Sequence, residues 1–445
     1  MKILRAALPG IAFGVFAAAA LAATPARSEA MILVDADSGK VLRAENATYP
    51  WYPASTTKLM TLYMTLSAIR DNKITFDTLF TVSRNAYLQA PTKMAFPIGT
   101  GVTVDNALKM MMVKSANDMA VLLAEGIGGS IDGFAEAMTD TAHQLGMTES
   151  NFVNPNGLPA DGQITSARDL AILARALMRE FPQYSSYWHI PAIQWGKRVV
   201  RNYNPLLGRY PGADGMKTGF ICASGFNLVA TATRDNKHLI AVVLGAPSGA
   251  VRAIKAAELL ERGFSQNPLA WLTPSLGTVD ALTPMDAAPP NLKDEMCGTH
   301  RKRPHAEDED IDADAGGQTT ADMNQTRSLL LSALQAPTNP VLLSDLGPVL
   351  PIRVYTGPTR SAGQLANMPA EDDATEPGKK KKTKQKATAA RSSDSQNSAE
   401  APAEAKPKKT KTTAVKPADV KPAEAKPTAA AAAPKKPAKP KPPAQ

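Results

Sequence analysis

Apolar positions follow two rhythms through the first 264 residues and lose both afterwards. MILVDADSGKVLRAENA (31–47) reads as two short strands joined by a turn at Asp37-Ser38-Gly39. Helical spacing then takes over in KLMTLYMTLSAI (58–69), VDNALKMMMV (104–113), ANDMAVLLAEGI (116–127) and SARDLAILARALMREF (166–181). Strand patterns return in GFNLVATATR (225–234) and KHLIAVVLGA (237–246), separated by a tight-turn pair, Asp235-Asn236. GAVRAIKAAELLERGF (249–264) closes the series as an amphipathic helix. Strands at both ends with helices between them predict an α/β domain over 31–264. It has one antiparallel sheet flanked by helices, plus a helical lobe.

Residues 265–376 are loop-rich and predict no second folded domain. They hold an acidic run, AEDEDIDAD (306–314), and VLLSDLGPVLPIRVYTG (341–357), which has room for a strand or two between prolines. Residues 377–445 are almost entirely Lys, Pro, Ala, Thr and Glu, and carry a net charge of +13 against +9 for the whole chain. The basic character therefore belongs to this tail. Its composition predicts disorder, because it offers too little apolar surface to offset the entropy of ordering.

The first 30 residues have the layout of a secretory signal peptide. A basic MKILR precedes an apolar, small-residue stretch, with small-x-small patterns at Ala20-Leu21-Ala22 and Ser28-Glu29-Ala30. No later stretch has the ~18 apolar residues of a membrane span. The expectation is an exported protein of the periplasm or cell envelope, at most peripheral to the membrane. In such an oxidising compartment Cys222 and Cys297 are placed to pair, although sequence does not fix their geometry. The five histidines share no metal-ligand spacing with the cysteines or each other, so no metal site is predicted.

Three short clusters carry candidate chemistry. Ser55 and Lys58 lie three residues apart where a helix begins, which sets both side chains on one face. A serine hydroxyl needs a neighbouring base, and an amine can serve; the helix start adds backbone N–H groups that favour developing negative charge. Alone the pattern is weak, since Ser-x-x-Lys arises by chance about twice in such a chain. Lys114-Ser115-Ala116-Asn117-Asp118 falls between two helices, where Ser115 fits equally well as a plain N-cap. Lys217-Thr218-Gly219-Phe220 precedes the two strong strands and is predicted on an edge strand of the same sheet. Gly219 would let a substrate backbone approach there.

Taken in order, Ser-x-x-Lys, Ser-x-Asn and Lys-Thr-Gly form the signature of penicillin-recognising serine acyltransferases. ILVDADSGKVL, PASTTKLMT, VKSANDMA, NFVNPNGLP and DGMKTGFICASGFNLVATA sharpen the match. Over residues 31–264 the chain resembles the serine-type D-alanyl-D-alanine carboxypeptidases, the low-molecular-mass penicillin-binding proteins. The resemblance implies the penicillin-binding/β-lactamase-like transpeptidase fold, with the three motifs converging on one cleft. It implies that Ser55 attacks the carbonyl between two terminal D-alanines, that Lys58 takes its proton, and that Ser115 relays a proton towards the leaving amine. Asn117 would hydrogen-bond the substrate, Lys217 would hold Ser115, and Thr218 would bind the terminal carboxylate. Backbone N–H groups of Ser55 and Phe220 would form the oxyanion hole. No cofactor is implied. The implied partners are peptidoglycan stem peptides, with β-lactams as inhibitors.

Two departures stand out. Many members carry an arginine shortly before the Lys-Thr-Gly strand, where this chain has Tyr203; Arg201 and Arg209 are the nearby substitutes. Members also often end in a β-rich domain and an amphipathic anchor, which this sequence does not show; the basic tail offers attraction to an anionic envelope surface instead. Three other readings compete. A class A β-lactamase needs a deacylating Glu, yet NPNGLPADGQITSARDL offers only Asp161 and Asp169. A D,D-endopeptidase would use the same site on cross-links. A non-catalytic envelope-binding protein would act through its tail; nucleic acid is not an expected partner, because an exported chain does not meet it.

Overall fold

The two apolar rhythms sort into one sheet and one cluster of helices. The computed structural model describes residues 29–265, 275–298, 343–344, 347–358, 361 and 363–364. All lie in the first of two compact units, 1–379. The predicted signal peptide up to Ser28, the acidic run and the basic tail lie outside the described residues.

β1 (Ala30–Asp35) and β2 (Val41–Glu45) form the expected antiparallel hairpin. A 3-10 turn (Ala54–Thr57) leads into α1 (Lys58–Arg70), followed by β3 (Leu79–Thr81), α2 (Arg84–Leu88) and β4 (Gly101–Thr103). The helical lobe continues with α3 (Val104–Val113), α4 (Asn117–Gly128), α5 (Ile131–Gln144), α6 (Ala167–Glu180) and α7 (Ser186–His189). Strands return as β5 (Ala192–Trp195), β6 (Arg198–Arg201), β7 (Ala213–Ile221), β8 (Gly225–Arg234) and β9 (Lys237–Ala246), before α8 (Gly249–Phe264). α9 (Lys293–Cys297) and β10 (Ile352–Val354) follow. Side chains of Thr103, Ser130, Ser166 and Ser248 cap α3, α5, α6 and α8 by accepting backbone N–H groups that the first turn leaves unbonded.

The main sheet has the order β2-β1-β9-β8-β7 and every pairing is antiparallel. Its central strands read as apolar runs because both faces are covered. On β9, Ile240, Val242 and Leu244 join the core under the helical lobe, while Leu239, Ala241 and Val243 join a second core with Ala253, Ala256, Ala257 and Leu260 of α8. The β8–β9 turn places Asp235 and Asn236 both at positive φ, as a two-residue hairpin demands. β7 is left at the sheet edge, as the sequence predicted for Lys217-Thr218-Gly219.

Residues beyond 264 also pack on this body. β10 pairs in parallel with β5, and the buried Tyr355 donates its N–H to Asn106 Oδ1 at 3.0 Å. Residues 275–298 form a strap held at several points. Val279 N donates to Gly39 O (2.9 Å), and Arg168 Nε donates to Val279 O (3.1 Å). Further along, Met285 N donates to Glu149 Oε1 (3.0 Å) and Leu292 N to Ala223 O (3.0 Å). Cys297 then closes a disulfide with Cys222, at the end of β7.

That bond spans 75 residues of sequence. Closing a loop of this length removes enough unfolded-state entropy to contribute about 2–4 kcal/mol. The double substitution Cys222→Ser/Cys297→Ser is expected to lower the unfolding free energy by about that amount in a guanidinium titration. A midpoint and slope equal to those of the parent would show that the strap's other contacts hold it unaided.

Candidate active site

Ser55 sits where three backbone segments meet closely. Asn227, buried in the middle of β8, donates from Nδ2 to Tyr52 O (2.9 Å) and Pro53 O (3.2 Å), and its Oδ1 accepts Gly245 N at 3.1 Å. This clamps the chain entering the 3-10 turn to the sheet. Ala54 then takes φ +48°, a left-handed conformation that costs a non-glycine residue of order 1 kcal/mol or more and persists only where surroundings enforce it. The enforcement is visible on both sides. A Cβ on Gly157 would stand 1.8 Å from Ala54 O, and one on Gly219 would stand 2.8 Å from Ser55 N. Only glycine permits either approach. Beyond the clamp, Thr56 Oγ1 donates to Pro53 O (2.7 Å) and Gln163 Nε2 donates to Thr57 Oγ1 (3.0 Å).

Lys58 opens α1 and is fully buried. Its Nζ donates to Ser55 Oγ (3.0 Å), Asn117 Oδ1 (2.7 Å) and Asn156 O (2.7 Å). A buried amine is tolerable only when its N–H groups are met, and these three acceptors come from three separate segments. The nucleophile–base spacing predicted from sequence is therefore realised, with one refinement. Ser55 lies in a 3-10 turn, and the α-helix proper begins at Lys58.

The second cluster lies between α3 and α4. Ser115 is not a helix cap; it takes φ +59°, and Ala116 occupies the cap position of α4. From there its Oγ accepts Lys217 Nζ at 2.9 Å, joining the second cluster to the third. Lys217 Nζ also donates to Thr218 O at 3.1 Å. Thr218 is buried, and its Oγ1 has no hydrogen-bond partner among the described residues. An unmatched buried hydroxyl is a ready donor for a ligand oxygen. Phe220 stacks on Phe226 across the β7–β8 pair, with ring centroids 4.2 Å apart.

The structure therefore brings Ser55, Lys58, Ser115, Asn117, Lys217, Thr218 and Gly219 together, with Phe220 next along the strand. Arg201 and Arg209 are exposed, whereas Tyr203 is buried. Asp118 works as a structural anchor. Its carboxylate accepts the N–H groups of Met94 (2.9 Å) and Ala95 (2.8 Å), pinning the loop in front of α4. Burial holds this carboxyl above the usual carboxylate range, against the pull of those backbone donors. Met110, Met111 and Met112 are fully buried core residues.

Sequence reading missed Asn227, Asn156 and Gly157. Asn227 had a signal, a lone amide inside an otherwise apolar strand. Asn156-Gly157 had a weaker one, since Asn-Gly marks a turn but not what the turn touches.

A family model described as D-alanyl-D-alanine carboxypeptidase matches residues 17–248, just over half the chain. Among curated relatives, D-alanyl-D-alanine carboxypeptidase DacA of Haemophilus influenzae is 35% identical over 243 residues, covering 54% of this chain and 62% of its own length. DacC of Escherichia coli is 36% identical over 244 residues, covering 53% and 61%. This chain thus spans about three fifths of these relatives. Two solved structures are similar. The carboxypeptidase DacD of Francisella tularensis has a TM-score of 0.52 at 31% identity, covering 53% of this chain and 70% of that one. Penicillin binding protein 6B of Escherichia coli has a TM-score of 0.51 at 36% identity, covering 53% and 76%. The fold is that of the penicillin-binding proteins, and the chain belongs to the D-alanyl-D-alanine carboxypeptidase family.

Proposed function

We propose that this chain is a serine-type D-alanyl-D-alanine carboxypeptidase that removes the terminal D-alanine from peptidoglycan stem peptides through an acyl-enzyme on Ser55. The observation that carries the reading is Lys58 Nζ, buried and 3.0 Å from Ser55 Oγ, in a chain of the carboxypeptidase family. With its amine neutral, Lys58 accepts the Ser55 hydroxyl proton as Oγ attacks the carbonyl between the two D-alanines. The Oγ–C bond forms, and negative charge develops on the carbonyl oxygen beside the backbone N–H groups of Ser55 and Phe220. The C–N bond then breaks. Ser115, 2.9 Å from Lys217 Nζ, relays to the leaving nitrogen the proton that Lys58 took from Ser55, so Lys58 is neutral again as free D-alanine departs. Asn117 holds Lys58 through Oδ1 and faces the substrate amide, while Thr218 Oγ1 meets the terminal carboxylate. Water then cleaves the ester with Lys58 as base, restoring Ser55. A β-lactam carries its own reactive amide and would acylate the same oxygen.

A D,D-endopeptidase differs only in its leaving group and would use the same residues. The place of work in this reading is the envelope outside the cytoplasm, where such peptides lie.

The acylation step is tested by intact mass after incubation with benzylpenicillin. The mature protein should gain one penicilloyl group and Ser55→Ala none; an unmodified parent that also consumes no penicillin would sink the catalytic reading. Release of D-alanine from a monomeric muropeptide, measured against cleavage of a cross-linked dimer, separates carboxypeptidase from endopeptidase. Gly219→Ala probes the close approach directly. A methyl group there meets Ser55 N at 2.8 Å, so strand and turn must part. Acylation is expected to slow about 100-fold, the scale of a misplacement near 1 Å, with the far-ultraviolet circular dichroism unchanged. An unaltered rate would show that the strand does not set the position of Ser55.

A further inference from the structure

The base Lys58 is held from outside by two loops, and one side chain joins them. Besides Ser55, its acceptors are Asn117 Oδ1 and Asn156 O. The amide of Asn117 is oriented by Nδ2, which donates to Ala90 O at 2.9 Å. The amide of Asn156 is oriented by Nδ2, which donates to Gln89 Oε1 at 2.8 Å. Two adjacent residues, 89 and 90, thus hold the side chains of both residues that supply the acceptors: Ala90 the Asn117 amide itself, Gln89 the side chain of the residue whose backbone carbonyl meets Lys58. Gln89 is itself fixed, because its Nε2 donates to Asn85 O at 3.1 Å in the last turn of α2. The segment continues into the second cluster, where Thr92 Oγ1 donates to Lys114 O and Ser115 O, each at 2.9 Å.

We propose that Gln89 is a positioning residue for acylation: it ties the 89–95 segment to the Asn156 loop and so sets where Lys58 Nζ stands relative to Ser55 Oγ. This rests on the carboxypeptidase reading. The chemistry explains why an amide stands here. The position must accept from Asn156 and donate to Asn85 O at once; a carboxylate lacks the donor and a thioether lacks both.

The test is a double-substitution cycle on the mature protein, with Gln89→Met, Asn156→Ala and the pair, read as the second-order rate of acylation by benzylpenicillin. Met keeps the length of the side chain and removes both hydrogen bonds. Each single change is expected to slow acylation about fivefold, the scale of one lost hydrogen bond at a positioned group, and the pair to be no slower than the slower single. Thermal midpoints should stay within about 3 °C of the parent's, which separates positioning from general stability. Gln89→Glu, which keeps the acceptor and loses the donor, should fall between parent and Gln89→Met. Additive losses near 25-fold in the pair, a Gln89→Met rate within twofold of the parent, or losses that track a falling midpoint would each overturn the proposal. A parent that forms no adduct at all would overturn the carboxypeptidase reading first and this one with it.

Discussion

The burial of one amine organises the site. Lys58 Nζ has no access to solvent, so its N–H groups must be met by protein oxygens at short distance. The chain meets them with a hydroxyl from the 3-10 turn, a side-chain amide from the start of α4 and a backbone carbonyl from the 153–158 loop. Each of these needs its own support. Asn117 leans on Ala90 O, and the 153–158 loop is anchored by Thr61 Oγ1 donating to Pro155 O at 2.6 Å and by Gln163 Oε1 accepting Val153 N at 2.7 Å. An apolar side chain at position 58 would need none of this, and the surrounding polar network would then have no purpose.

A second constraint follows from the first. To bring Ser55 within 3.0 Å of that amine and also against the edge strand, the backbone must pass closer to its neighbours than a Cβ allows. Gly157 and Gly219 provide the space on two sides. Ala54 at φ +48° and Ser115 at φ +59° carry the remaining bend, and both are residues that would relax elsewhere. Part of the backbone strain thus sits in the two turns that present hydroxyl groups. The regular elements around them are conventional, with five of the described helices capped by Ser or Thr and a core divided cleanly by strand alternation.

Much of this was legible in the sequence, for reasons that differ between elements. β8, β9 and α8 keep the bounds read from their apolar patterns, because both faces of the central strands and one face of the helix are buried. α3 does too, helped by Thr103 at its cap. α5 went unread although IDGFAEAMTDTAHQ buries Phe134, Ala135, Met138 and Ala142 at helical spacing. β10 falls in 341–357, read only as room for a strand or two, because its stability comes from β5, more than 150 residues earlier, and no local pattern reports a distant parallel partner. The side chains that meet at the candidate site were legible as an ordered set of short motifs. Their supports were less so, since Asn227, Asn156 and Gln89 act through hydrogen bonds to segments distant in sequence, and nothing in spacing names those partners.

The open edge of β7 shows how the two constraints serve each other. An unpaired strand edge is a liability that proteins usually cover or charge. Here the 3-10 turn packs against the strand at Gly219, and Lys217 and Thr218 are buried beside it. Among the described residues the Thr218 hydroxyl stays unmatched. A peptide lying along this edge would find backbone groups for pairing and a buried donor for its terminal oxygen. The same glycine that lets the turn approach the strand would let the substrate do so. Adding a Cβ there would push strand and turn apart and, in the proposed reading, would also stand against the substrate, which accounts for a glycine at the junction of sheet and turn.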